Sequence, residues 1–206
     1  MNRCVIVGGA PIDNINVIKA YIKDNDYIIC CDCGLRHCAP LGITPNLIVG
    51  DFDSYDNPMV STETIVLPCE KDDTDSFFAV KEAYKRGFTD FLLVGFFGAR
   101  MDHTLGNISI LLWLANRNVK ALAIDDYSEI EIVSDIPVEI PDTFSYFSLI
   151  TLTGDAQGVN ILNAKYPLEN GTINCEYQYA VSNEVIPNQV AKVYVKEGKL
   201  LLIKDR

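Results

Sequence analysis

Acidic residues recur at four turns in the first half of the chain, each placed after an apolar segment. They are Asp32, the pair Asp51 and Asp53, the pair Asp72 and Asp75, and Asp102. Asp51 and Asp53 are two residues apart, so in an extended chain both carboxylates point the same way and can share one hard cation. The pattern predicts a site for metal and phosphate, whereas turn capping is the alternative for any single Asp.

The segment Lys71-Asp72-Asp73-Thr74-Asp75 lies just before a predicted helix. One of Asp72, Asp73 or Thr74 must act as the helix N-cap, because the first helical amides need an acceptor. Asp75 would then project from the first turn, and Lys71 could contact a phosphate as a point charge. This arrangement needs Asp73 least.

A third segment, Gly98-Ala99-Arg100-Met101-Asp102-His103, places a permanently charged guanidinium two residues before a carboxylate. It opens another predicted helix, where backbone amides also favour an anion. Arg100 is therefore predicted to bind phosphate, and an ordinary exposed ion pair with Asp102 is the alternative. His103 fits packing, capping or acid–base chemistry equally well.

Glycines follow the first apolar run, in Gly8-Gly9-Ala10-Pro11. A loop of this kind between a strand and a helix suits close approach of a phosphate to the backbone. It matches neither the dinucleotide-binding fingerprint nor the Walker pattern, so by itself it is a weak signal.

The elements that must position these residues are readable from the apolar pattern. Runs bounded by turn residues predict strands at Cys4–Val7, Tyr27–Cys31, Leu47–Val49, Thr64–Leu67 and Phe91–Val94. Apolar residues at helical spacing predict helices over 12–23, 76–86 and 104–116. Alternation of strands and helices predicts a mostly parallel, Rossmann-like sheet. In such sheets ligands bind beyond the carboxyl ends of the strands, which is where the acidic turns fall.

After about residue 126 the helical pattern stops and short alternating segments begin. Predicted strands lie at 129–133, 146–153, 159–162, 177–181, 190–196 and 199–204, with frequent turn signals that favour a β-sandwich. Asn170-Gly171 predicts a tight turn, and Glu197-Gly198 predicts the turn of the last hairpin. The predicted domains are an α/β catalytic domain that binds nucleotide and metal, residues 1–128, and a β-sandwich, residues 129–206.

Composition limits the classes of function. A net charge of −11 over 206 residues, with a pI near 4.5, disfavours binding to nucleic acid or to an anionic membrane. The longest apolar stretches are too short to span a bilayer, and a strand begins almost at the first residue, so we expect a cytoplasmic protein.

The seven cysteines are an odd number for a chain of this size, which favours reduced thiols over a disulfide framework. Cys30-Cys31-Asp32-Cys33 with His37-Cys38 invites a zinc interpretation, but structural zinc sites pair two such knuckles and the sequence has one. Small buried hydrophobic residues are the favoured interpretation of these cysteines.

Taken together, the motifs resemble those of the thiamine pyrophosphokinases, in the same order and along nearly the whole chain. They are Asp32 with Gly34, Gly50-Asp51-Phe52-Asp53-Ser54, Lys71-Asp72-x-Thr74-Asp75, Gly98-x-Arg100-x-Asp102-His103 with Asn107, Tyr166-Pro167-Leu168, and Ser182-Asn183-Glu184. The resemblance implies a homodimer with active sites at its interface. It also implies transfer of a pyrophosphoryl group from ATP to the hydroxyl of thiamine, which gives thiamine diphosphate and AMP.

The resemblance also implies roles for residues. Asp51, Asp53 and Asp75 would hold Mg²⁺, Arg100 would hold the phosphates, and either Asp102 or Asp75 would orient or deprotonate the thiamine hydroxyl. The nucleotide and its phosphates would further meet Asp32, Lys71, Asp72, Thr74, His103 and Asn107. Ser182 and Asn183 would contact thiamine from the second domain, across the dimer interface.

The chain departs from the family pattern at two places. Family members often carry an Ala-Asp-Gly-Gly-Ala-like run where this chain has Cys31-Asp32-Cys33-Gly34-Leu35. Some also use a tryptophan against thiamine near the Ser-Asn motif, but Trp113 here lies in a predicted helix with core spacing. Tyr177 or Tyr179 would have to stack on the cationic ring instead.

Two other functions remain open on the sequence. Gly50-Asp51-Phe52-Asp53-Ser54 also resembles the signature of haloacid-dehalogenase-type phosphatases, in which the first Asp is a nucleophile. That signature normally lies on the first strand, and it usually has Thr or Val where this chain has Ser54. The other function is a noncatalytic module that binds nucleotide or thiamine.

Overall fold

The computed structural model describes residues 3–52, 61–70 and 72–206. It divides the chain into two compact units, Met1–Asp126 and Tyr127–Arg206. The first is an α/β unit and the second is built from antiparallel strands. Among the residues described, no helix has the length and hydropathy needed to cross a membrane.

The described residues of the first unit form six parallel strands. They are β1 (Cys4–Val7), β2 (Tyr27–Cys31), β3 (Leu47–Gly50), β4 (Glu63–Val66), β5 (Asp90–Val94) and β6 (Lys120–Ile124). Their order across the sheet is β4-β3-β2-β1-β5-β6, with every neighbouring pair parallel. The chain moves outward from β1 to β4 and then returns to lay β5 on the other side of β1. The order therefore reverses between β1 and β5, which is where open α/β sheets bind ligands.

The five strands predicted for this unit are confirmed, with ends that differ by at most one residue. Residues of β1 and β3 are buried throughout, as expected for strands covered on both faces. β6 was not predicted from the sequence.

The helices of the first unit are α1 (Ile15–Lys19), α2 (Cys38–Leu41), α3 (Asp75–Lys85) and α4 (Met101–Ala115), with a 3₁₀ helix at Asp32–His37. The predictions of α3 and α4 are confirmed, although α4 begins three residues earlier. The helix predicted over 12–23 is wrong in length. After α1 the amides of Tyr21 and Ile22 bond to carbonyls three residues back, and the amide of Lys23 bonds to the Asp26 carboxylate, so the α-helical ladder stops.

The second unit contains seven strands: β7 (Ser128–Val133), β8 (Val138–Pro141), β9 (Tyr146–Thr151), β10 (Ala156–Leu162), β11 (Leu168–Ile173), β12 (Val190–Tyr194) and β13 (Leu200–Asp205). β13 pairs with β7 and β9, and a separate antiparallel sheet has the order β11-β10-β12-β8. One apolar cluster draws side chains from both sets of strands, including Phe147, Leu149, Val159 and Leu202. The alternation predicted for β12 is confirmed, since Ala191 and Val193 are buried while Lys192 is exposed.

Three predictions in this unit are wrong. Residues 177–181 form no strand, and Tyr177 and Tyr179 are exposed. Asn170-Gly171 is not a hairpin turn but lies inside β11, where the pairing register with β10 shifts. Asn170 has φ 47°, and a β-bulge needs such a backbone as much as a turn does. Glu197-Gly198 does not close a hairpin, because β12 and β13 pair with different partners.

The cysteines of the 30–38 segment are mostly buried. Cys30, Cys31 and Cys38 belong to the core, and Cys33 is partly exposed. The thiol sulfurs of Cys30 and Cys38 lie 2.9 Å apart, joining the end of β2 to the start of α2. The hydrogen bond with Cys38 and burial raise the pKa of Cys30, so this thiol stays protonated.

Candidate active site

Three carboxylates from three elements meet at the carboxyl edge of the parallel sheet. Asp32 begins the 3₁₀ helix after β2, Asp51 follows β3, and Asp75 is the first residue of α3. One oxygen of each lies within 4.8 Å of the others, and we call this group the acidic cluster. Each pair of like charges at such a distance costs about 3 kcal/mol at an effective dielectric of 20. A cation among them would offset that repulsion.

The local sequence explains how these residues meet. β2 and β3 are adjacent and in register, with Cys31 opposite Val49, so the residues that follow them leave the sheet side by side. Gly50 is required at the end of β3, because a Cβ there would lie 2.8 Å from the Cβ of Asp32. Thr74 caps α3, its hydroxyl oxygen accepting from the Phe77 amide at 3.2 Å, and this cap fixes Asp75 in the first turn.

The acidic cluster lies in a cavity of about 410 Å³. The other lining residues that bear on the argument are Gly9, Ala10, Cys33, Arg36, Thr74, Gly95, Phe96, Gly98, Arg100, His103 and Asn107. All belong to the first unit, and together with the acidic cluster they come from the segments that follow β1, β2, β3, β4 and β5. The cavity therefore stands at the reversal point of the sheet, with carboxylates and arginines in its lining.

Two glycine loops close the cavity at that reversal point. A Cβ on Gly8 would lie 2.5 Å from the carbonyl oxygen of Gly95, and Gly95 itself has φ 67°. The Ala10 amide donates to the Gly95 carbonyl at 2.9 Å, so the two loops are tied together. Small residues here leave the backbone open to a phosphate.

Arg100 and Asp102 form an exposed pair at the start of α4. Arg100 donates from Nε to Oδ1 at 3.2 Å and from a terminal nitrogen to Oδ2 at 2.6 Å, and the two side chains are 67% and 66% exposed. The hydrogen bonds from Arg100 and from the His103 amide lower the pKa of Asp102 to about 2. Arg100 lines the cavity, whereas Asp102 does not.

The remaining candidates of the first unit differ in their surroundings. Asn107 is buried and donates to the Phe96 carbonyl at 2.5 Å, so it anchors the loop after β5. His103 lines the cavity. Asp72 is exposed and outside the lining, and Asp73 forms an ion pair with Lys81.

The predicted site residues Asp53 and Lys71 lie outside the residues that the structure describes. Ser54 of the phosphatase-like signature lies outside them as well. The acidic cluster is therefore built here from the three described carboxylates alone.

In the second unit, Asn183 is buried and bound to the chain itself. Its Oδ1 accepts from the amides of Tyr166 and Glu184 at 3.0 and 2.9 Å, and its Nδ2 donates to the Tyr166 carbonyl at 2.8 Å. We call this set of bonds the Asn183 corner. It joins the Tyr-Pro-Leu and Ser-Asn motifs, while Ser182 is exposed at φ 57°, with its amide bonded to the Ser148 hydroxyl.

The aromatic candidates are separate from that corner in the sequence. The rings of Tyr177 and Tyr179 lie 5.7 Å apart and are tilted by 37°. Trp113 lies in α4, as predicted, and packs edge-on against Phe77 and Tyr84 of α3.

One charged residue of the cavity, Arg36, was not predicted from the sequence, although its position four residues after Asp32 was a usable signal. Asp32, which is predicted to meet the nucleotide and its phosphates, lies with Asp51 and Asp75 in the acidic cluster.

A parallel sheet whose carboxyl edge carries carboxylates, arginines and glycine loops has the architecture of a metal-dependent phosphotransferase. Two family models match the chain: "Thiamin pyrophosphokinase, catalytic domain" over residues 18–123, and "Thiamin pyrophosphokinase, vitamin B1 binding domain" over residues 134–200. The chain belongs to the thiamin pyrophosphokinase family.

Individual relatives agree with the family models. The thiamine pyrophosphokinase of Bacillus subtilis (strain 168) is 28% identical over 213 residues, covering 100% of this chain and 99% of the relative. Thiamin pyrophosphokinase 1 of Caenorhabditis elegans is 25% identical over 159 residues, covering 71% and 65%. The crystal structure of the Bacillus subtilis protein has a TM-score of 0.89 at 26% identity, covering 99% of both chains. That of the Geobacillus thermodenitrificans protein has a TM-score of 0.86 at 25% identity, covering 99% and 97%.

Proposed function

We propose that this enzyme transfers a pyrophosphoryl group from ATP to the hydroxyl of thiamine, giving thiamine diphosphate and AMP. The observation that carries the proposal is the acidic cluster at the carboxyl edge, in a chain matched by both a catalytic and a vitamin B1 binding model. Neither the phosphatase nor the noncatalytic module is favoured, because the family matches extend over both halves of the chain.

The donor set of the acidic cluster fits a hard divalent cation, and we propose Mg²⁺. Asp32, Asp51 and Asp75 offer only oxygen ligands, which Mg²⁺ prefers, and the sequence adds Asp53 as a further ligand. A bound Mg²⁺ would neutralise charge on the phosphates of ATP. The three carboxylates would hold it at the carboxyl edge of the sheet, beyond β2 and β3.

The rest of the cavity is suited to position the nucleotide. Arg100 presents a planar cation at the mouth of α4, and Gly9 and Gly95 of the glycine loops line the cavity without side chains that would keep a phosphate away. Thr74, His103 and Asn107 line the same cavity and retain their proposed nucleotide roles, as do Lys71 and Asp72 from the sequence.

The two aspartates proposed to act on the thiamine hydroxyl are not equivalent. Asp102 is a weak base at neutral pH because Arg100 lowers its pKa to about 2. Asp75 lines the cavity and stands in the acidic cluster. We therefore favour Asp75 for orienting the hydroxyl. Positioning matters more than proton abstraction in this class of transfer.

Residues of the second unit are proposed to bind thiamine. Ser182 is exposed and can offer its hydroxyl, whereas the Asn183 amide already makes three hydrogen bonds to backbone, so Asn183 acts by shaping the loop. Tyr177 or Tyr179 supplies an exposed ring for the cationic thiazolium.

The larger organisation follows from the family resemblance. We propose that residues 1–128 form a Rossmann-like catalytic domain and residues 129–206 a β-sandwich that binds thiamine. We further propose a cytoplasmic homodimer with active sites at its interface. Sedimentation equilibrium tests whether the protein is a dimer, and a monomer at assay concentration would contradict this proposal.

Mass spectrometry of the products tests the reaction. The protein is mixed with ATP, Mg²⁺ and thiamine, and each component is omitted in turn. Thiamine diphosphate with equimolar AMP is the expected result. Free phosphate with a phosphoryl-enzyme at Asp51 would point to the phosphatase, and binding without products would point to the noncatalytic module.

A matched pair of variants locates the chemistry. Asp51→Asn is expected to abolish AMP formation, because it removes one charge from the acidic cluster. Asp24→Asn removes one charge from an exposed position before β2, at the opposite end of that strand, and is expected to keep full activity. Equal activity of the two variants would remove Asp51 from the mechanism.

A further inference from the structure

Arg36 is held in place beside the acidic cluster. It lies on the same 3₁₀ helix as Asp32, and its Nε donates to the Cys33 carbonyl at 2.8 Å. One terminal nitrogen lies 3.5 Å from the point that a Cβ on Gly9 would occupy, so the guanidinium lies over the glycine loop. The side chain of Arg36 is exposed and lines the cavity, so its guanidinium can donate to a ligand bound there.

Among the described residues, no carboxylate forms a salt bridge with Arg36. Arg100, by contrast, is paired with Asp102. The two arginines line one cavity from different elements, the 3₁₀ helix and the loop before α4. The cavity thus offers two separated cations around one acidic cluster, an arrangement that suits a chain of phosphates better than a single phosphate.

We propose that Arg36 is a second phosphate anchor, which binds the pyrophosphate part of the nucleotide on the Gly9 side of the cavity while Arg100 binds it from α4. The proposal rests on the proposed function for the identity of the nucleotide. A guanidinium can grip two phosphate oxygens at once, and its planar fork is fixed here by the bond to Cys33. Arg36 is therefore a determinant of affinity for polyphosphates and not for AMP.

Calorimetric titration of the full chain with inorganic pyrophosphate and with AMP, both with Mg²⁺, tests this role without any turnover. Arg36→Gln is expected to raise the Kd of pyrophosphate about 10-fold or more and to change that of AMP less than about twofold. Arg36→Lys keeps a point charge without the fork, so an intermediate Kd is expected.

Arg117→Gln is the matched control, because Arg117 is an exposed arginine of the same unit that stacks on Trp113. It removes the same charge and is expected to leave both affinities unchanged. Unchanged pyrophosphate affinity in Arg36→Gln, an equal loss in Arg117→Gln, or an equal loss for AMP would each overturn the proposal. A wild-type protein that binds no pyrophosphate would overturn it as well.

The outcome is separable from that of the proposed function. If the wild-type protein makes no thiamine diphosphate but Arg36→Gln still loses pyrophosphate affinity, the anchor stands and the proposed reaction fails. If product forms normally and pyrophosphate affinity is unaffected in Arg36→Gln, the reaction stands and the anchor fails.

Discussion

The acidic cluster of the first unit and the Asn183 corner of the second are both built from motif residues. The side chains repel one another in the acidic cluster, whereas those of the Asn183 corner form stabilising hydrogen bonds. The acidic cluster gathers three carboxylates within 4.8 Å, and their like charges repel one another. The Asn183 corner makes three hydrogen bonds between the side-chain amide and backbone groups, which stabilise the protein without a ligand. A motif residue can therefore exist for a ligand or for the fold, and the surroundings of its polar atoms distinguish the two.

Replacing Asp75 in the acidic cluster should have the largest effect on turnover. Asp75→Asn is expected to lower turnover by on the order of 10³-fold, equivalent to about 4 kcal/mol of transition-state stabilisation. Stability should change much less than turnover does, because Asn keeps the size of the side chain. AMP release and urea denaturation measure the two quantities. Asp73→Asn, in the same turn but paired with Lys81, is the control and should keep wild-type turnover.

Replacing Asn183 should instead lower the stability of the protein. Asn183→Ala leaves partly buried backbone groups of Tyr166 and Glu184 without partners, so the free energy of unfolding should fall by about 2 kcal/mol. Ser182→Ala should leave stability within about 0.5 kcal/mol and raise only the KM for thiamine. Urea denaturation of both variants is the measurement. A stable Asn183→Ala protein would mean that the corner is not structural.

Adding Mg²⁺ should separate the two regions without changing the fold. Linkage predicts about 1.4 kcal/mol of added stability when Mg²⁺ is at ten times its Kd. Thermal denaturation with and without Mg²⁺ should show this gain in the wild type and in Asn183→Ala, but a smaller one in Asp75→Asn. Removal of the cation with a chelator should reverse it. An equal gain in Asp75→Asn would place the cation elsewhere.

The smallest expected effect concerns His37, which makes a structural hydrogen bond in the same unit as the acidic cluster. Its buried ring donates from Nε2 to the Ala10 carbonyl at 2.9 Å, and burial lowers its pKa below the usual value near 6.5. The unfolded chain therefore binds a proton first, so this stability is complete above pH 6.5 and falls as the pH decreases toward the folded pKa.

Urea denaturation at pH 7.5 and pH 5.5 measures that loss, which we expect to be below about 1 kcal/mol. His37→Gln can still donate to Ala10 but does not titrate, so its stability should depend less on pH. If the wild type and this variant share one pH profile, His37 makes no contribution to it.

Much of the first unit could be predicted because its strands are continuous apolar runs that end at turn residues. Strand order explains why Asp32 and Asp51 meet, but it gives no side-chain distance, so the three-carboxylate group itself could not be predicted. Arg36 was not predicted because the approach of its guanidinium to the position of Gly9, 27 residues earlier, exists only in the folded chain.

The second unit was harder because the same local signal serves two structures. Asn170-Gly171 supplies a positive φ, and here a bulge inside β11 uses it in place of a turn. Tyr177 and Tyr179 have strand-forming side chains, but they pack against each other and stay exposed. In both cases tertiary pairing decided between alternatives that the local sequence leaves equal.

The packing of the first loop against the 3₁₀ helix has a consequence for sequence variation. A Cβ on Gly9 would lie 2.5 Å from the Cβ of Cys33, and a Cβ on Gly34 would lie 2.1 Å from the Val7 carbonyl oxygen. Gly34 is therefore fixed by the backbone alone, whereas positions 9 and 33 constrain each other. A lineage that acquires a side chain at position 33 must keep glycine at position 9. A relative with glycine at position 33 has room for alanine at position 9.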